Sequence, residues 1–184
     1  MFAYCVRLVA IGMLLTGMLS GPMTIESVRA EESESGGSVL TGTVTRIVDG
    51  DSIVVKTDDG TEEQVHLEGI DAPEVKQDSG SEATKALTSM VKGKSVEVKW
   101  KKRDDFQRIL GQVYQESVHV NLQMLEKGLA WHYARYYKSE DFADAEKKAK
   151  SSKLGLWSNS SPTAPWEYRK KNRDSEKANP TESK

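Results

Sequence analysis

Between residues 40 and 48 threonine alternates with valine and isoleucine, the period-two pattern of a strand that buries one face. A β-branched run from Ser52 to Thr57 follows, and Asp58-Asp59-Gly60 supplies a turn into a third run, Gln64 to Ile70. These three segments predict a meander. The period then lengthens: Ala83, Ala86, Leu87, Met90 and Val91 recur at helical spacing within Ser81 to Val91, and Gly93 follows as a stop. Alternation returns over Ser95 to Trp100 and Ile109 to Tyr114, the second of which can pair with the first or with the short segment Ser117 to Val120. Asn121 is placed to cap a helix carrying Leu122, Met124 and Leu125 that ends at Gly128, and Ser139 to cap another reaching about Ser152. The predicted order is βββαββαα. Five strands with three helices in that order make an α+β fold of the OB type, a five-stranded barrel whose faces and loops bind nucleic acids or sugars in many unrelated proteins.

The ends of the chain lack this periodicity. Arg7 precedes an almost uncharged apolar run from Leu8 to Leu19, and small residues follow toward Ala30, which reads as a signal peptide over residues 1–30. The run is too short for a spanning helix, which needs about 20 apolar residues, so the expectation is cleavage and export, outside the cell or into a periplasm, with no membrane attachment afterwards. Residues 31–38, rich in Ser, Glu and Gly, read as a disordered linker, and residues 159–184 as a mostly disordered tail. Pro162 to Arg169, with Trp166 and Tyr168, either packs on the domain or stays free. Residues 39–158 remain as one domain, expected to be a monomer, with about as much apolar content, 37% of the 184 residues, as one core needs. The only cysteine, Cys5, falls in the leader, so the domain has no disulfide and depends on packing or a bound ion.

Charge complicates any nucleic-acid reading. The whole chain carries 26 basic and 28 acidic residues, and loss of the leader leaves it slightly more acidic, whereas phosphate contacts call for positive surface. Locally the balance reverses: Lys92, Lys94, Lys99, Lys101, Lys102 and Arg103 are clustered. They form either a basic patch or a strand edge protected by lysines.

Two acidic clusters interrupt strand-like segments, Asp49-Gly50-Asp51 after the first and Asp71-Ala72-Pro73-Glu74 after the third. In a meander the ends of strands one and three lie on the same side of the sheet, so these carboxylates can converge. Converging carboxylates need a positive partner, and Ca²⁺, which takes oxygen ligands including waters and carbonyls, satisfies that charge without nitrogen or sulfur. Taken singly, each motif also reads as a plain turn.

The ordered set is more specific. V-D-G-D-S at Val48 to Ser52, H-L-E-G-I-D-A-P-E at His66 to Glu74 and G-S-E-A at Gly80 to Ala83 resemble the staphylococcal nuclease family in order and spacing. So do D-D-F-Q-R-I-L-G-Q-V-Y at Asp104 to Tyr114, N-L-Q-M-L-E-K-G-L-A-W at Asn121 to Trp131, and G-L-W at Gly155 to Trp157. The resemblance covers roughly residues 39–157. It implies that Asp51, Asp71 and the carbonyl of Ala72 bind Ca²⁺, that Glu74 is the general base that activates a water, and that Arg108 binds the scissile phosphate.

Three positions depart from the family pattern. A second phosphate-binding arginine is replaced by His66, and an imidazole offers one donor and, at its reference pKa of about 6.5, little charge at pH 7. Loss of one such preorganised donor costs about 3 to 4 kcal/mol in other enzymes. The residues before Arg108 are Phe106 and Gln107 where the family has tyrosine and glycine: the ring survives for stacking, its hydroxyl does not, and the loop that aims Arg108 is altered. Of the aromatic cluster Trp131, Tyr133, Tyr136 and Tyr137, Tyr136 matches a family tyrosine of the base-binding wall. Trp131 and Tyr133 read as packing residues, and His119 and His132 as structural. The substrate-binding set implied is Phe106, Tyr136 and Lys102, acting on single-stranded or frayed DNA and RNA.

Three functions follow. The first is an exported, Ca²⁺-dependent endonuclease that hydrolyses DNA and RNA phosphodiesters. The second is a nuclease-like barrel of weak or no activity that binds nucleic acid or protein, motivated by the changes at His66, Phe106 and Gln107. The third, a barrel for saccharides or another polyanion, rests on fold analogy alone.

Overall fold

The computed structural model describes residues 37–178. The segment read as a leader, residues 1–30, most of the segment read as a linker and the last six residues lie outside that range, and Ser38, assigned to the linker from sequence, already belongs to the first strand.

Five strands close a barrel. β1 (Ser38–Ile47) pairs antiparallel with β2 (Ser52–Lys56) and with β5 (Ser95–Arg103). β2 pairs with β3 (Glu62–Leu67), and β5 with β6 (Ile109–Gln115). A parallel pairing of β3 with β6, Val65 opposite Ile109, joins the two edges and removes them. Val44, Ile53, Val55, Val65, Val98 and Val113 are fully buried; in β1 and β5 the residues between the buried ones are more exposed, whereas in β2 Val54 is buried as well. Register shifts at Val44/Arg46 and Trp100/Lys102 bend β1 and β5 enough to close so small a barrel.

The third strand is shorter than the sequence pattern suggests. It stops at Leu67, because Gly69 takes φ +86 and turns the chain; Ile70–Asp71 then forms β4, which pairs with β8 (Trp131–His132). Asp71 is therefore held beside the barrel mouth by a two-stranded ribbon. A two-residue strand, β7 (Val118–His119), extends the β6 edge.

The helices pack on one side of this frame. α1 (Gly80–Val91) buries Ala83, Leu87 and Val91, and α3 (Glu140–Ser151) starts at Ser139, whose hydroxyl accepts the Phe142 N–H as expected. Asn121 does not cap its helix. α2 (Val120–Glu126) already includes it, and its fully buried amide accepts the Val113 N–H at 2.9 Å and donates to the carbonyls of Glu68 and Gly111 at 2.9 and 3.0 Å. It satisfies backbone groups that the turn at Gly69 removes from the sheet, an obligation that local spacing does not reveal.

The reading of residues 159–184 as a mostly disordered tail needs correction. After a 3₁₀ turn (Gly155–Ser158), α4 spans Pro165–Ala178, giving four α-helices rather than three. Its beginning is seated: Trp166 packs on the cluster of Trp131, Leu156 and Ala164, and Gln77 Nε2 donates to the Thr163 carbonyl at 2.6 Å. Beyond Arg169 the side chains are exposed, which is why the segment looks unstructured from composition.

Candidate active site

The two acidic turns are pressed together by backbone and small residues. Asp51 N–H donates to Asp49 Oδ1 at 3.0 Å, which sets the first turn, and Gly50 lies so close to the second that a Cβ there would meet those of Ala72 and Ala83 at 2.8 and 2.9 Å. Asp51 then reaches across: its Oδ2 accepts the Ala72 N–H at 2.7 Å, and its Oδ1 accepts the Ser52 hydroxyl at 3.0 Å. The loop after β4 is fixed at its other end, where Gln77 N–H donates to the Glu74 carbonyl and Glu74 N–H to Gln77 Oε1. Gly80 sits directly against that Glu74 carbonyl, leaving no space for a side chain.

Asp51, Ala72, Asp71, Glu74, His66 and Arg108 consequently line one cleft of about 690 Å³ at the mouth of the barrel. Lys102, Phe106, Tyr133 and Tyr136 line it as well. Each residue of the implied catalytic, cation-binding and substrate-binding sets therefore lines the same space. Phe106 and Tyr136 are 81% and 63% exposed, unusual for large aromatic rings and consistent with surfaces open to a ligand.

Arg108 is aimed by a tight loop. Asp104 Oδ1 accepts the N–H groups of Phe106 and Arg108, each at 2.9 Å, and its Oδ2 accepts Arg108 Nε at 2.7 Å. Nη1 extends toward Ser52 Oγ, 3.5 Å away. Gln107 closes the loop at φ +64, a left-handed conformation that glycine adopts at no cost. Arg103 Nη1, which donates to the Gln107 carbonyl, ties the loop at that point.

His66 is not a free donor. Its Nδ1 lies 3.1 Å from both Asp51 Oδ1 and Ser52 Oγ, so the ring braces a carboxylate. Burial opposes its charge, but the Asp51 carboxylate and that hydrogen bond outweigh burial and raise its pKa. Reciprocally, burial works to raise Asp51, while His66 and the Ala72 N–H hold it well below the usual carboxylate range. Burial and the neighbouring Asp51 charge push Asp49 up to about 6.

Sequence reasoning missed Arg169. Its Nη1 donates to Asp71 Oδ1 at 3.0 Å and Glu74 Oε1 at 2.8 Å, and its Nη2 to Asp71 Oδ2 at 2.7 Å. Burial pushes Asp71 up, offset in part by these bonds. With both oxygens gripped by a permanently charged fork, the geometry is that of an ionised pair. Trp166 and Tyr168, two aromatic residues in an otherwise charged segment, are the signal that could have marked this helix as docked.

The oxygen-only donor set suits a hard cation. Asp51, Asp71 and the Ala72 carbonyl would hold it, with waters completing the shell. Among the described residues no group of three or more His, Cys, Asp and Glu side chains is already set to hold a metal ion. The negative charge of Asp71 and Glu74 does require a positive neighbour, a requirement the Arg169 guanidinium meets here.

Residues 64–159 match the profile of the family described as staphylococcal nuclease homologue. The chain belongs to that family. An uncharacterized endonuclease of Escherichia coli is 41% identical over 129 residues, covering 70% of this chain and 84% of that protein. An uncharacterized endonuclease of Haemophilus influenzae is 34% identical over 127 residues, 71% of its length. Staphylococcal-like nuclease CAN1 of Arabidopsis thaliana is 42% identical over 110 residues, and this nuclease homologue spans about a third, 34%, of that plant protein. The profile match runs from residue 64 to 159, so both Asp51 and Arg169 lie beyond its ends.

Proposed function

We propose that this nuclease homologue is an exported, Ca²⁺-dependent endonuclease that hydrolyses phosphodiester bonds of DNA and RNA. The observation that carries the reading is the convergence of Asp51, Asp71, Glu74 and Arg108 on one cleft with exposed rings beside it. A bound calcium ion would supply charge neutralisation at the phosphate and Lewis acidity. The chain's own groups supply the rest. Glu74, partly exposed, takes a proton from the attacking water as the water oxygen bonds to phosphorus, while the opposite ester P–O bond breaks and the leaving oxygen takes up a proton from solvent. Arg108, its Nε fixed by Asp104, presents its terminal nitrogens to a phosphate oxygen and stabilises the charge that develops there. His66 and the Ala72 N–H keep Asp51 ionised and oriented.

Phe106 and Tyr136 offer ring faces on which any base can stack, and Lys102 offers a charge to a neighbouring phosphate. Stacking on both requires bases out of the duplex, which favours single-stranded or frayed substrates. Export rests on the leader read over residues 1–30.

The test is incubation of the mature chain with single-stranded DNA and RNA, with calcium and then with a chelator. Cleavage that the chelator stops supports the reading. Binding without cleavage at any pH from about 5 to 10 selects the second reading, a nucleic-acid binding module, which the His66–Asp51 brace and the grip of Arg169 on Asp71 favour.

A further inference from the structure

Arg169 reaches the carboxylates from a helix that is seated without it. Trp166, three residues earlier and on the same face of α4, stacks on Tyr133 with ring centroids 5.5 Å apart and meets Trp131 edge-on at 6.4 Å. Gln77 holds the Thr163 carbonyl, and the Tyr168 hydroxyl donates to the Lys76 carbonyl at 3.4 Å. These apolar and backbone contacts fix the first turn of α4, so the ion pair is not needed to dock it.

The other guanidinium and imidazole groups of the cleft have partners of their own. Arg103 forms a fork with Glu63, both bonds at 2.9 Å, and also donates to Gln107. His66 braces Asp51. Arg108 has its Nε on Asp104. Arg169 instead rests on Asp71 and Glu74, the two carboxylates that the nuclease reading assigns to the cation and the base. A divalent cation attracted to Asp71 would repel the guanidinium, and an incoming phosphodiester would attract it. Rotation about the arginine stem can shift the terminal nitrogens by several ångströms, on the order of one side-chain rotamer change, while the helix stays in place.

We propose that Arg169 is a substrate-binding residue of this site. Without substrate it is the counter-ion of Asp71 and Glu74; with cation and nucleic acid present it turns to a phosphate oxygen and works beside Arg108. The assignment rests on the nuclease reading and extends it, because it names a phosphate ligand that lies beyond the profile match.

The experiment uses the full mature chain, its Arg169→Ala, Arg169→Gln and Arg169→Lys variants, and single-stranded oligothymidylate as substrate. Cleavage at saturating calcium yields kcat and KM; calorimetric titration with calcium alone yields its affinity without nucleic acid; thermal melting reports folding, and Arg169→Gln preserves the stem should the alanine variant unfold. The expected result is a fall in kcat/KM of about a hundredfold for Ala and Gln, with at least about tenfold recovered by Lys. Calcium affinity should rise in Ala and Gln, because Asp71 is released. Variants that keep kcat and KM within about twofold of the parent overturn the assignment, and so does a parallel loss of calcium affinity and activity, which would make Arg169 a support for the carboxylates. A parent chain that neither cleaves nor binds oligothymidylate defeats the nuclease reading itself, and this assignment with it.

Discussion

At the scale of single residues, the cleft separates groups that act from groups that orient. Glu74 is held by its backbone to Gln77 while its side chain remains accessible, as a base must be. Glu74→Gln should lower kcat by about two to four orders of magnitude with little change in melting temperature, measured by steady-state cleavage beside calorimetry. His66 is bound to Asp51 and Ser52, so its replacement tests two effects at once. His66→Arg should raise turnover severalfold through an added fork toward phosphate; an unchanged rate would remove position 66 from the chemistry. Gln107 offers a cleaner case. At φ +64 a non-glycine residue costs about 1 to 2 kcal/mol, and the freedom that glycine loses on folding returns about 0.5 to 1 of that. Gln107→Gly should therefore stabilise the chain by a few tenths to about 1 kcal/mol in denaturant unfolding.

At the scale of elements, the site depends on how closely two turns approach. A methyl at Gly50 would press on the Cβ atoms of Ala72 and Ala83, both fixed to backbone that cannot swing aside. The overpacking cost of about 1 to 3 kcal/mol exceeds the roughly 0.4 to 1 gained by stiffening the unfolded chain. Gly50→Ala should thus lower stability and, by parting Asp51 from Asp71, weaken calcium binding in titration. α4 is anchored differently, through Trp166 on Tyr133 and Trp131. In Trp166→Ala, hydrogen exchange should quicken in α4 and stay slow in the barrel, because the helix beyond that anchor buries almost nothing.

At the scale of the whole molecule, stability should follow both cation and proton. An ion that binds only the folded chain adds about 2.7 kcal/mol at a hundredfold excess over its Kd, so calcium should raise the melting temperature and a chelator reverse it. His119 sets a pH dependence away from the cleft. Burial lowers its pKa, opposed by the charges of Asp141 and Glu126 and aided by Lys99; its ring stacks on Tyr114 at 4.6 Å and its Nε2 meets Gln112 Oε1 at 2.8 Å. The folded chain keeps this imidazole neutral, while the unfolded chain protonates it near its ordinary value of about 6.5. Its contribution is complete above that pH and is lost as pH falls below it. Urea midpoints at about pH 7.5 and 5.5 should differ less in His119→Gln than in the parent.

Much of this was legible along the chain. Alternating residues delimit β1, β5 and β6, because a strand with one buried face must alternate whatever lies across from it, and a β-branched run marks β2. Ser139 caps α3, a purely local bond. That the acidic turns of Asp51, Asp71 and Glu74 can meet was legible because the meander sends those strand ends to one side, while Ala72, Arg108 and the role of each residue were implied only by the resemblance to the staphylococcal nuclease family. What needed the tertiary structure was everything set by distant partners. The parallel closure of β3 on β6 follows from how the sheet coils. Asn121 serves the carbonyl of Glu68, 53 residues earlier, which no capping pattern records. Arg169 lies 98 positions from Asp71, on a helix whose composition suggests disorder, and only the seat of Trp166 on the barrel carries its charge into the cleft. A sequence displays local periodicity directly; long-range electrostatic pairing depends on where packing places the backbone.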